Sequence, residues 1–164
     1  MKTFLATALL ALASQAARAT VLAKPMFMYS STTTDATSYS ETYMRIDLGY
    51  LSAKGWFYGA SFLNAGGSTP GINTATNSYG PTFGWASGKE FGPYVFGHYY
   101  IPQEDNRLAN SKRSGWAADL GYKLLLRRYT FVIEVSYRRE SLKSDISTLS
   151  YKYIEPSFGL FLTF

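Results

Sequence analysis

The segment "YTFVIEVSYR", residues 129–138, alternates strictly between two kinds of side chain. Its odd-numbered positions are all aromatic or aliphatic, whereas its even-numbered positions hold Thr, Val, Glu, Ser and Arg. A period of two residues places successive side chains on opposite faces of a strand. The segment therefore predicts a β-strand with one wholly apolar face and one mixed face.

The same period recurs along the chain and predicts eight strands. We place them at 22–31, 40–51, 55–65, 78–87, 91–101, 114–125, 128–139 and 150–164. Short connections alternate with long ones, which we place at 32–39, 66–77, 102–113 and 140–149. This arrangement is typical of membrane barrels with tight turns at one end. We predict an all-β fold, an eight-stranded antiparallel up-and-down transmembrane β-barrel.

The N-terminal stretch "MKTFLATALLALASQAARAT" has the features of a secretory signal peptide. Lys2 precedes an apolar run over residues 4–13, and Ala17-Arg18-Ala19 provides a cleavage pattern. The alternative is an N-terminal anchor helix, but the run is too short to span a bilayer. We predict that residues 1–19 are removed and that residues 20–164 form one barrel domain.

Composition excludes several kinds of site. The chain has no cysteine and one histidine, His98, so we expect no disulfide, no metal centre and no cofactor. The formal net charge of +5 is small and its basic residues are scattered, which argues against a nucleic-acid partner.

The apolar positions sort by height along the predicted strands. Aromatic residues cluster at both ends of the outward rows, and aliphatic residues such as Ile46, Leu120, Ile133 and Leu160 lie between them. Two aromatic belts around an aliphatic band match the two interfaces of a bilayer. The alternative is a water-soluble barrel or sandwich, but the mixed face carries too few charges for a surface in water.

The chain ends in "SFGLFLTF", residues 157–164, with apolar residues alternating up to Phe164. With the eight strands and the signal peptide, this ending resembles the small bacterial outer-membrane barrels of the OmpA and OmpX type. The resemblance implies an outer-membrane location, contact with membrane lipids and recognition of Phe164 by the barrel-assembly machinery. We expect a monomer.

Two short motifs occur twice. "DLGY" occurs at 47–50 and 119–122, on the second and sixth predicted strands, and "PTFG" at 81–84 is matched by "PSFG" at 156–159 on the fourth and eighth. One explanation is duplication of a four-strand unit. The other is convergence on the same structural needs of a barrel wall.

Seven charged residues fall on the inward face of the predicted strands. Because eight strands enclose room only for side chains, we expect a polar network that fixes strand register, with Asp119 roughly opposite Glu134. The alternative is a proton path or a small gated pore. The network residues are Arg45, Asp47, Asp119, Lys123, Glu134, Arg138 and Glu155.

Three functions follow from this layout. The first is a non-enzymatic barrel that serves the envelope structurally or through its surface loops. The second is a lipid A-modifying enzyme that uses His98, placed inward near the outer rim, with Asp119 and either Ser111 or Ser114. The third is a narrow channel for small solutes.

Basic residues fall in or beside the long connections, at the height of lipopolysaccharide phosphates. We expect them to contact those phosphates, since Arg and Lys pair well with them. The alternative is ordinary solvated loop charge. The residues are Arg107, Lys112, Arg113, Arg139 and Lys143.

Overall fold

The computed structural model describes residues 20–33, 38–69, 72–88, 91–104, 111–145 and 147–164, so the predicted signal peptide lies outside it. Its strands form a closed antiparallel barrel in chain order, which confirms the predicted all-β, eight-stranded up-and-down barrel. No helix in the described part of the chain is long and apolar enough to cross a membrane. The strands are β1 (Thr20–Thr33), β2 (Ser38–Leu51), β3 (Trp56–Thr69), β4 (Ile72–Ala86), β5 (Gly92–Glu104), β6 (Lys112–Leu126), β7 (Tyr129–Lys143), β8 (Thr148–Leu160) and its continuation β9 (Leu162–Thr163).

The barrel closes where β8 and β9 meet β1. Both pair with β1 in one continuous register, so they act as a single eighth strand. At the end of the chain, Val21 and Phe164 exchange two backbone hydrogen bonds of 3.2 and 3.0 Å. These bonds fix the apolar C-terminal residues to the first strand.

The stagger of the strands sets the width of the barrel. A path that starts at Leu22 and passes from each residue to its partner on the next strand goes once around the barrel and returns to β1 at the level of Thr32. This point lies ten residues further along the strand. A shear of this size in an eight-stranded barrel gives a strand tilt of about 40° and a radius of about 8 Å. Side chains alone can fill so narrow an interior.

The strands extend further at one end than the sequence predicted. We call the end with connections 52–55, 87–91 and 127–128 the turn end, and the opposite end the loop end. The prediction of a long loop over 66–77 is wrong, because β3 and β4 stay paired up to Thr69 and Ile72. The Gly, Asn and Ser residues there have the composition of a loop, yet they continue the hairpin ladder.

Side chains alternate between the lumen and the outer surface as predicted. Along β5 every residue from Gly92 to Tyr100 switches between buried and exposed. Small and large residues fit together inside the lumen, since the Tyr94 ring packs where a side chain at Gly121 would stand. At the turn end, Gly55 has a φ of 86°, which favours glycine, and a Cβ at this position would collide with the carbonyl oxygen of Ala86.

The two proline motifs mark places where the wall loses its ladder. β4 pairs with β5 only from Thr82, directly after Pro81. β8 pairs with β1 only from Phe158 onward, two residues after Pro156. Proline lacks the backbone donor that a ladder needs. Both breaks open toward the loop end, four strands apart, as a duplicated unit would place them.

The two breaks differ in what fills them. In the gap between β4 and β5, the side-chain amide of Gln103 makes two hydrogen bonds to β4. In the orientation that pairs both of its polar atoms, its nitrogen donates to the Asn77 carbonyl at 3.1 Å and its oxygen accepts from the Tyr79 backbone amide at 2.8 Å. Between β1 and β8, no ladder pair is formed by the described residues beyond Phe27 and Phe158. We call this unpaired stretch the β1–β8 seam.

We expect every second backbone amide from Met28 to Thr33 to exchange hydrogen rapidly, because these groups face the unpaired side of β1. Amides in the fully paired β6–β7 hairpin are the internal control. Hydrogen exchange of the folded barrel in detergent, read by NMR, tests this. Equal protection in the two regions would show that the seam is closed.

Candidate functional site

A charged cluster fills the middle of the lumen, and Lys24 lies at its centre. The Lys24 side chain is fully buried, and its Nζ lies 2.8 Å from Glu134, 3.1 Å from Asp47 and 3.5 Å from Asp119. The same ammonium group sits over the rings of Tyr94 and Phe96, at 4.8 and 4.6 Å from their centres. Carboxylates and aromatic faces together replace the water that this cation loses on burial.

Arg45 is the second cation of the cluster. Its Nη2 donates to Asp119 at 2.6 Å and also to Glu134, while its Nε lies 3.4 Å from Asp47. Two cations thus face three carboxylates. Neutral donors add to the balance, since the hydroxyls of Tyr94 and Ser157 donate to Glu134 at 2.8 and 3.0 Å. We call these residues, with His98 and Thr82, the central cluster.

His98 joins the cluster through both ring nitrogens. Its Nε2 donates to Asp119 at 2.6 Å, and its Nδ1 lies 3.0 Å from the Thr82 hydroxyl and 3.6 Å from Asp47. The prediction that His98 lies near the outer rim is wrong, because its partners belong to the mid-lumen cluster. The hydroxyl that meets the ring is Thr82 on β4, rather than the predicted Ser111 or Ser114.

Asp47, His98 and Asp119 come close enough to suit a metal ion, with one ligand atom from each lying within 4.8 Å of the others. Lys24 and Arg45 already hold both carboxylates, however. A divalent ion placed there would adjoin two buried cations. The arrangement is therefore suited to ion pairing and unsuited to metal binding.

A second network lies between the central cluster and the loop end. Arg138 donates to Glu140 at 2.9 Å and to Glu155 at 2.6 Å. Its guanidinium is sandwiched between the rings of Tyr43 and Tyr153, at 4.3 and 4.5 Å. We call this group the outer network.

An apolar plug closes the lumen at the turn end. Phe57 and Phe96 stack there at 4.7 Å, and Phe161 and Leu22 are buried beside them. Further toward the loop end, a cavity beside Tyr43 and Arg45 measures only about 20 Å³, which is room for about one water molecule. The lumen is a packed interior at each of these levels.

The structure brings together four of the seven predicted network residues in the central cluster: Arg45, Asp47, Asp119 and Glu134. Arg138 and Glu155 belong instead to the outer network. Lys123 stands apart at the turn end, where its Nζ donates to the Ser87 carbonyl. Asp119 and Glu134 are diagonal neighbours, because Glu134 pairs with Gly121 and Asp119 pairs with Ser136.

The predicted phosphate-binding residues separate into three groups. Lys112, Arg139 and Lys143 are exposed near the loop end, and Arg107 lies outside the described residues. Arg113 does not fit the prediction of a surface loop residue. It is the second residue of β6, so the alternation turns it into the lumen, where it lies 3.4 Å from Glu140 and donates to Thr76 at 3.0 Å.

Sequence reasoning missed Lys24, the most connected residue of the cluster. The first strand is apolar on both faces, so its alternation did not reveal which side faces the lumen. One signal was available. A lysine in the middle of a membrane-spanning strand is costly on the lipid face, and this requirement places Lys24 inside.

No protein family matches the sequence, and no curated protein is significantly similar to it. The assignment of function therefore depends on the barrel itself.

We expect Arg45→Met to destabilise the barrel by about 3–5 kcal/mol, because it leaves three buried carboxylates against Lys24 alone. Guanidinium unfolding in detergent measures the loss. Arg128→Met removes an exposed charge in the turn after β6 and should change stability by less than about 0.5 kcal/mol. A small effect of Arg45→Met would mean that the central cluster does not hold the barrel together.

Proposed function

We propose that this protein is an integral β-barrel of the bacterial outer membrane, with a structural or surface-interaction role and no catalytic activity. The supporting observation is the inverted distribution of polarity. Buried charges occupy the lumen, while large apolar side chains such as Leu120, Ile133 and Phe158 are 64%, 54% and 63% exposed on the outer wall. Water would penalise so large an exposed apolar surface.

The apolar band has the height of a bilayer core. On β7 the outward row runs from Tyr129 to Tyr137 without a charge. These eight steps cover about 20 Å of barrel height at the tilt given above, close to the band of about 25 Å found on outer-membrane barrels. Exposed charges begin at Arg139 on the loop side and at Arg128 on the turn side.

The packing of the lumen does not support the hypothesis of a solute channel. The apolar plug and both charged networks fill the levels through which a solute would pass. Paired buried charges hold each other in place, because each would be costly without its partner. Stabilisation of a narrow barrel is the role that this interior supports.

One observation favours the enzymatic alternative. Thr82, His98 and Asp119 stand in the order hydroxyl, imidazole and carboxylate, with contacts of 3.0 and 2.6 Å, as in a nucleophile and base pair. All three side chains are buried, however, and Asp119 is also held by Arg45. Because a lipid substrate cannot reach this hydroxyl, we propose that the three residues act structurally.

A charge on the apolar band should distinguish a membrane barrel from a soluble one. We expect Leu120→Arg to cost about 2–4 kcal/mol in lipid vesicles, because position 120 lies near the middle of the band. Leu126→Arg, on an exposed outward-facing leucine at the turn end of the same strand, should cost about 1 kcal/mol or less. Unfolding from vesicles measures both. Equal costs, or a wild-type chain that remains monomeric in water without detergent, would contradict the proposal.

The role of His98 can be tested separately. We expect His98→Ala to leave the lipid A of the producing bacterium unchanged and to lower the thermal unfolding midpoint of the barrel, because Asp119 loses a hydrogen-bond donor. Mass spectrometry of lipid A and unfolding in detergent are the two measurements. A modified lipid A that depends on His98 would establish the enzymatic alternative.

A further inference from the structure

Four exposed cations gather on the outer wall near the loop end of β6, β7 and β8. Lys112 is directly opposite Lys143, and Arg139 is directly opposite Lys152. Like charges in opposed positions of a sheet repel each other and destabilise it. None of the four forms an ion pair with a described residue, although Glu104 stands opposite Lys112 on its other side. This patch therefore has a charge excess that an anion would relieve.

An apolar trough runs across the same strands, nearer the turn end. Its two walls are neighbouring rows of outward side chains, and its volume is about 810 Å³. One row contains Leu120, Val135 and Pro156, and the other contains Tyr122, Ile133 and Phe158. The trough ends at Tyr29, beside the β1–β8 seam, and begins at Pro93 on β5.

The dimensions of the trough suit one extended hydrocarbon chain. It spans four strand spacings, or about 19 Å, and its walls are two residues apart along each strand, or about 7 Å. The side chains of both rows are uncharged, and Glu134, which also lines the trough, turns its carboxylate into the lumen. A chain lying there would contact side chains on both flanks.

The patch and the trough are placed as the two ends of a lipid would be. Arg139 lies four residues beyond Val135 on β7, about 13 Å along the strand. Lys152 is likewise four residues from Pro156 on β8. Between them lie the exposed side chain of Ile154 and the ring pair of Trp116 and Tyr137, whose centres are 5.3 Å apart.

We propose that the outer face of β6–β8 is a binding site for one anionic membrane lipid. Its phosphate lies between Arg139 and Lys152, and one of its acyl chains occupies the trough. This inference rests on the proposed membrane location. The site selects a lipid because a free phosphate would leave the trough empty, and a neutral lipid would leave the opposed cations unrelieved.

Photo-crosslinking tests the site in the intact barrel. The barrel is placed in phosphatidylcholine nanodiscs with a trace of phosphatidylglycerol that carries a diazirine near the middle of one acyl chain. We expect crosslinks to concentrate at Ile133, Val135 and Phe158, above those at Leu48 and Phe62 on the opposite wall. The same probe built on phosphatidylcholine should label both walls alike.

Two sets of variants separate the parts of the site. Removing both charges with Arg139→Gln and Lys152→Gln should weaken binding of the anionic probe in the trough about thirtyfold, since each cation contributes about 1 kcal/mol to binding an anionic lipid. The matched control removes Lys54 and Arg128, exposed charges at the turn end, and should leave labelling unchanged. Val135→Trp fills the trough and should displace the crosslinks from Ile133.

Three results would overturn the proposal. They are equal labelling around the whole barrel, equal labelling by the two probes, and loss of labelling in the turn-end control to the same extent. Removing the opposed cations should also raise heat stability in neutral detergent, which shows that the double variant folds. If the proposed membrane location were wrong, neither wall would be labelled by either probe.

Discussion

The ammonium group of Lys24, buried among three carboxylates, is the constraint on which the rest of the barrel depends. A buried cation without partners would cost more than the fold can supply. Its partners come from β2, the next strand along the chain, and from β6 and β7, which are remote from β1 in the sequence. The ammonium group meets all three carboxylates only when the barrel is closed at the observed stagger. Burial of this charge therefore requires both closure of the barrel and the observed strand register.

Placing the charges inside determines what the outside can be. The interior of a barrel about 8 Å in radius is filled by the paired charges and the apolar plug. The longest apolar rows of the strands then face outward, as Leu120 and Ile133 do. A surface of this kind is stable against hydrocarbon, and the proposed outer-membrane role follows from the interior.

The strand count, the alternation and the inward charges were predictable from the sequence because a period of two is a local pattern. The extent of the strands was not, since the Gly and Asn residues between Gly66 and Asn77 have the composition of a loop. The central cluster was only partly predictable. Which residues meet across the lumen depends on the shear of the barrel. The shear includes the register between β1 and β8, which no local sequence pattern in either strand reveals. Lys24 was hidden for a related reason, because both faces of β1 are apolar.

The β1–β8 seam has a mechanical consequence. The two strands share backbone bonds only toward the turn end, where the apolar plug also packs tightly. We therefore expect the barrel to be stiffest at the turn end and most compliant at the loop end. In the proposed membrane location, changes in bilayer thickness would be absorbed first along this line, and the motif at Pro156 marks where strand pairing resumes.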